Sequence, residues 1–184
     1  MCDGIDAQNQ SIYATHPRRN LVLYRRDGIP PQGETVQDTT LSATRRLDEA
    51  LALFVQGRYH TAIYLGGLSA EMFLKSACFM LGGAKLADPI ASHLAPIKNK
   101  NYRPPFKVDY ECGHGLWFWS QELLSRRRRL RRASPNRFMQ VMASLYNDWF
   151  VGMRYRPGAA SCDDAAIFLE QVEWIANNYV SLRS

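Results

Sequence analysis

Several things are scarce in this chain, and each scarcity excludes a class of protein. No apolar run approaches the roughly 18 to 20 residues that a bilayer-spanning helix needs, and the first residues lack the basic-then-apolar order of a secretory leader. The sequence therefore predicts neither membrane insertion nor export. The four cysteines, Cys2, Cys78, Cys112 and Cys162, stand far apart with no C-x-x-C pair, so no short disulfide framework or zinc knuckle is expected. Reduced thiols in a cytoplasmic protein are the simplest expectation. Histidine is sparse and stops at His114. Nothing alternates with period two, so strands are not expected.

What is present is helical. At 46% hydrophobic residues, 184 residues can bury one core. Leu47, Ala50, Leu51 and Phe54 recur at three- and four-residue intervals, predicting a helix from near Leu41 to Gln56 that Gly57 ends in a left-handed conformation. A second helix is expected from Arg58 to about Leu81, stopped by Gly82-Gly83. Its face of Ala62, Leu65, Ala70, Phe73 and Leu74 is interspersed with Gly66, Gly67 and Ser69, which permit close backbone approach. Prolines 89, 96, 104 and 105 exclude long helices up to Gly113 and leave a turn or two near Ile90 to Leu94. A third long helix is expected from Gly115 through Arg132. A fourth is expected to open on Ser134-Pro135 with the stripe Phe138, Val141, Met142, Leu145 and Trp149. The last opens on a Ser161/Asp164 capping box with Ile167, Phe168, Val172, Ile175 and Tyr179 on its buried face. The expected architecture is all-α, an up-and-down bundle of four to five helices over residues 39–184, behind an irregular extension over residues 1–38.

The net charge of +6 is unevenly placed. Lys98 to Arg137 holds eleven Lys or Arg against Asp109, Glu111 and Glu122, which leaves the remainder slightly acidic. Such a basic segment is an address for phosphates, acidic proteins or anionic lipid. Its densest part is Arg126, Arg127, Arg128, Arg129, Arg131 and Arg132, and consecutive arginines cover every face of a helix. The run must project into solvent, pair with acidic neighbours, or bind nucleic acid.

Gly57, Tyr59 and Ala62, followed by Glu71, Leu74 and Lys75, resemble the helical hairpin of HEPN domains, a superfamily of helical bundles associated with nucleotides and RNA. His114-Gly115-Leu116, the segment Arg154-Tyr155-Arg156-Pro157, and Ala165, Ala166 and Phe168 extend that resemblance. It implies a homodimeric, non-catalytic nucleotide- or RNA-binding module whose site is lined by Glu71, Lys75, His114, Arg154 and Tyr155, with no metal and no cofactor. The family's ribonucleases carry an Arg followed after four to six residues by His, and no histidine here follows an arginine at that spacing. Cleavage of RNA needs a group titrating near neutrality beside the reacting hydroxyl. A ribonuclease would therefore need a rearranged set in which Arg154 steadies the phosphate and His114 acts as base. A third reading is a protein-interaction subunit of a nucleotidyltransferase or toxin-antitoxin pair.

Two local alternatives stay open. Glu71 and Lys75, one turn apart, form either a helix-surface ion pair or the charged groups of a cleft. The aromatic run Trp117-Phe118-Trp119 is more than one core needs, which favours a helix-to-helix dimer contact over a ligand platform.

Overall fold

The computed structural model describes residues 34–94, 96–97, 115–150, 153 and 158–184. Among the described residues the fold is all-α. Five helices of eleven residues or more are α1 (Val36–Val55), α2 (Tyr59–Leu81), α4 (Leu116–Arg129), α5 (Phe138–Asp148) and α6 (Cys162–Asn177). The single turns α3 (Ile90–Leu94) and α7 (Tyr179–Arg183) complete the set. None of these helices is long and apolar enough to cross a membrane.

Helix α2 is apolar nearly all round, and it is the element that α1, α4, α6 and α7 all pack against. Its glycines set how closely they do so. The Trp149 indole lies flat on Gly67 and donates from Nε1 to the Tyr64 carbonyl at 3.1 Å. Ser69 donates to Ala43 O at 2.8 Å, fastening α2 to α1. A second fastening, not foreseen from the sequence, is a triangle of hydroxyls. Ser76 Oγ lies 2.7 Å from Thr40 Oγ1 and 2.6 Å from Tyr179 Oη, joining α1, α2 and α7 in the interior.

The helix ends explain where the chain turns. At the end of α1, Gly57 takes φ +73°, Arg58 N–H donates to Leu53 O, and Gly57 N–H donates to Phe54 O. That pair of bonds is a Schellman motif, with the glycine where the left-handed residue falls. The end of α4 repeats it with Arg131 in the glycine's place: φ is 54°, Arg132 N–H donates to Arg127 O, and Arg131 N–H donates to Arg128 O. The helix therefore stops at Arg129 rather than running through Arg132 as the sequence predicts.

Two other boundaries differ from expectation. Helix α1 starts at Val36, because Thr35 and Asp38 form a capping box and the loop after α2 supplies carbonyls: Val36 N–H donates to Asp88 O and Gln37 N–H to Leu86 O. With Asp38 N–H on Thr35 Oγ1 and Thr35 N–H on Asp38 Oδ2, all four N-terminal donors are satisfied. Ser134-Pro135 does not cap α5. A turn intervenes, and Arg137 at φ 70° stands before Phe138.

The Ser161/Asp164 capping box opens α6 as expected. Cys162 beside it is disulfide-bonded, with its partner outside the described residues. The expectation of four reduced thiols fails there, since wide spacing excludes a compact framework and not a bridge closed by folding. Buried Cys78 is a thiol whose Sγ points at Trp119 O, 3.5 Å away.

Both capping carboxylates titrate below the usual range. Backbone and hydroxyl hydrogen bonds from Thr35 lower Asp38, and the hydroxyl and N–H of Ser161 lower Asp164. A depressed carboxyl contributes stability that is present above its unfolded value and lost as pH falls through its folded one. Thr35→Ala is expected to cost about 1 kcal/mol at pH 7. The cost should shrink toward pH 2 in urea titrations, and Ser161→Ala should follow the same direction. A cost independent of pH would remove the carboxylates from the account.

Candidate functional site

The two charged features singled out in the sequence fall in different places. Glu71 lies inside the bundle, 3% exposed, and pairs with Lys75 one turn further along α2. The Lys75 side chain is 18% exposed, and its ammonium sits 5.5 Å from the centre of the Trp119 ring on α4. The pair is therefore no helix-surface ion pair. Its ammonium bridges a buried carboxylate to the negative face of an indole, an arrangement that locks α2 to α4. His114, Arg154 and Tyr155, the other expected lining residues, lie outside the described residues, as does much of the basic loop before α4.

The aromatic run is partly used within the monomer. Trp119 is fully buried and meets Phe79 edge-on at 5.7 Å, while Phe118 packs edge-on against Trp119. Trp117 stacks at a tilt on Tyr146 of α5, with centroids 5.5 Å apart. What looked like excess for one core is largely core and its rim.

The arginine run divides in two. Arg126 turns inward: its Nε donates to Glu122 Oε1 at 2.6 Å, and Nη1 donates to Cys78 O at 2.8 Å. Glu122 is completely buried. The guanidinium occupies the space over Gly82, where an added Cβ would lie 2.0 Å from Nη1. Gly82 is thus required for this approach, and an arginine closes the C-terminal end of α2, where unsatisfied carbonyls concentrate negative charge.

Arg127, 6% exposed, is spent on backbone oxygens. Nε and Nη2 both donate to Ala133 O, and Nη1 donates to Ser181 O, Leu182 O and Ser184 O at 2.8, 2.9 and 3.2 Å. Burial, and secondarily Arg132, pulls its pKa below the ordinary arginine value.

Arg128, Arg129, Arg131 and Arg132 are exposed. Arg129 Nη2 approaches Glu122 Oε1 at 3.9 Å, too far for a strong tie. Four cations thus stand together at the end of α4 on a backbone fixed by its two inward neighbours. Glu122 and Arg126 show an i, i+4 spacing that could have marked the inward arginine from sequence. Nothing in the residue types marks Arg127.

Among the described residues no groups of three or more His, Cys, Asp or Glu converge as a metal site would require. The described histidines are His60, whose ring lies where a Gly158 side chain would be, and His93, 3.3 Å from Asp88.

The fold and these features define an all-α bundle built round one buried helix, with an internal Glu–Lys pair and an arginine-bearing tip. Comparison with family models, with curated proteins and with solved structures finds no match to this chain.

Proposed function

We propose that this bundle is a non-catalytic RNA-binding module of the HEPN-like kind, in which RNA phosphates engage Arg128, Arg129, Arg131 and Arg132. The observation that carries the reading is Arg131 in a left-handed helix cap. Glycine takes that conformation without steric cost, and a side chain there costs about 1 kcal/mol. A strained exposed residue whose charge adjoins three other arginines points to use of that charge. The inward anchoring of Arg126 and Arg127 supports the same reading, since it orders the turn before any ligand arrives.

Binding of this kind is driven by counterion release and is largely independent of sequence. With four phosphates neutralised, the slope of log K against log salt is about −2.8 for single strands. The test is filter retention of a 30-nucleotide RNA across salt concentrations. The variant Arg128→Ser, Arg129→Ser, Arg131→Gly, Arg132→Ser should lose nearly all of that slope. The single variant Arg131→Gly separates use from architecture: it should stabilise the fold by about 0.5–1 kcal/mol while weakening RNA retention. Unchanged retention in the quadruple variant would overturn the reading. Competition by mononucleotides, abolished by Lys75→Met and indifferent to the tip variants, would move the site to the Glu71–Lys75 pair. The homodimer that the HEPN resemblance implies is read separately by sedimentation equilibrium, and a monomer would remove the dimer without touching the phosphate sites.

A further inference from the structure

The segment that follows the exposed arginines was read from sequence as a helix cap, and it is not one. Residues 132–135 form irregular backbone between α4 and α5, and every residue from Arg128 through Ser134 is exposed. The Ser134 hydroxyl makes no hydrogen bond among the described residues. Released from a capping role, it stands on the surface at the edge of the strongest positive charge in the described chain.

We propose that Ser134 is a phosphorylation site and that its phosphate turns off the arginine tip, an inference that rests on the RNA-binding reading for its consequence but not for the modification itself. The flanking residues define the enzyme class. Pro135 follows the hydroxyl directly, and proline lacks the backbone N–H that most kinase clefts use at that position. It also biases Ser134 toward the extended conformation in which substrates are held. Arg137 stands three residues after Ser134, and Arg131 and Arg132 stand three and two before it. Ser-Pro-x-Arg with further arginines upstream fits a proline-directed serine kinase that reads basic residues in an acidic cleft. In the transfer, Ser134 Oγ attacks the γ-phosphorus of Mg-ATP, the bond from that phosphorus to the bridging oxygen breaks, and ADP leaves. The hydroxyl proton passes to the kinase's catalytic carboxylate.

The product carries a charge of about −1.5 to −2 at pH 7 and three acceptor oxygens, two and three residues from Arg132 and Arg131. It would neutralise about half of the four exposed positive charges and compete for the same guanidinium donors as an RNA phosphate. Ala133, the residue before it, is fastened through its carbonyl to Arg127, so the phosphate is held at the tip rather than on a free tail.

The full chain is incubated with a cyclin-dependent kinase and Mg-ATP, and the product is analysed by mass spectrometry and by RNA retention. Stoichiometric incorporation at Ser134, absent in Ser134→Ala, is expected. The modified protein should bind RNA roughly ten- to thirtyfold more weakly at 0.1 M salt, with its salt slope about halved. No incorporation at Ser134, or incorporation only at other serines, overturns the site. Incorporation with unchanged RNA retention overturns the switch. If unmodified protein retains no RNA, the RNA-binding reading fails, and the mass spectrum still decides the modification.

Discussion

Replacing Arg127 by methionine is expected to lower stability by about 3–5 kcal/mol, far more than the loss of any of the four exposed arginines of the run. Its guanidinium is buried and donates to the carbonyls of Ala133, Ser181, Leu182 and Ser184. Methionine fills most of the volume, so the loss comes from hydrogen bonds and not from a cavity. Each carbonyl left dry costs about 1–3 kcal/mol, and those at the edge of the fold recover part of this from water. For a domain of this size the loss corresponds to a melting temperature lower by roughly 6–20 °C.

Arg127→Lys should recover little, because one ammonium cannot span donors that a planar fork reaches at once. Arg128→Met, one residue along and exposed, should stay within about 0.5 kcal/mol of the parent. Thermal melts of the three variants settle the matter. Equal melting temperatures for Arg127→Met and Arg128→Met would mean that the buried fork contributes nothing.

That contrast also shows what could be read from the sequence and what could not. The α1–α2 hairpin was legible because glycine at position 57 and a three-to-four-residue apolar period say the same thing locally. The opening of α6 was legible for a similar reason, since Ser161 and Asp164 satisfy each other within one turn. The stop after Arg129 was not legible, because the residue in the left-handed cap is an arginine and its identity carries no such signal. Nor was the start of α1, where half of the orphan donors are met by carbonyls of Leu86 and Asp88 some fifty residues away.

The candidate residues divide along the same line. The sequence identified Glu71 and Lys75 as a pair one turn apart, but their burial depends on α4 bringing Trp119 over the ammonium. It grouped six arginines by composition. Tertiary packing separates them, sending Arg126 to a buried glutamate and Arg127 to the carbonyls beside α7, and leaving four outside.

A second large effect is expected at Gly67, where the central helix meets Trp149. An alanine Cβ there would lie 2.1–2.3 Å from the indole atoms Nε1, Cδ1 and Cε2, a distance no packed structure sustains. In an open helix interior the same change would stabilise by about 1 kcal/mol, so the sign is decided by the indole alone. The ring must move as a rigid body, and in moving it gives up its hydrogen bond to Tyr64 O. Overpacking and the lost bond together should cost about 2–4 kcal/mol.

Gly66→Ala is the internal control, because its nearest contacts, a methyl of Leu169 at 2.9 Å and a ring carbon of Phe168 at 3.3 Å, ask for much smaller shifts than the indole atoms at 2.1–2.3 Å from the Gly67 position. It should fall within about 1 kcal/mol of the parent. Shortening the indole should relieve the clash, so Gly67→Ala combined with Trp149→Leu should be less damaging than the two single losses added, by at least about 1 kcal/mol. Strict additivity in urea denaturation would show that Trp149 does not rest on Gly67. A positive coupling would place the tryptophan on α2 in solution and establish the small residues of that helix as what lets the α5 end of the bundle close on its core.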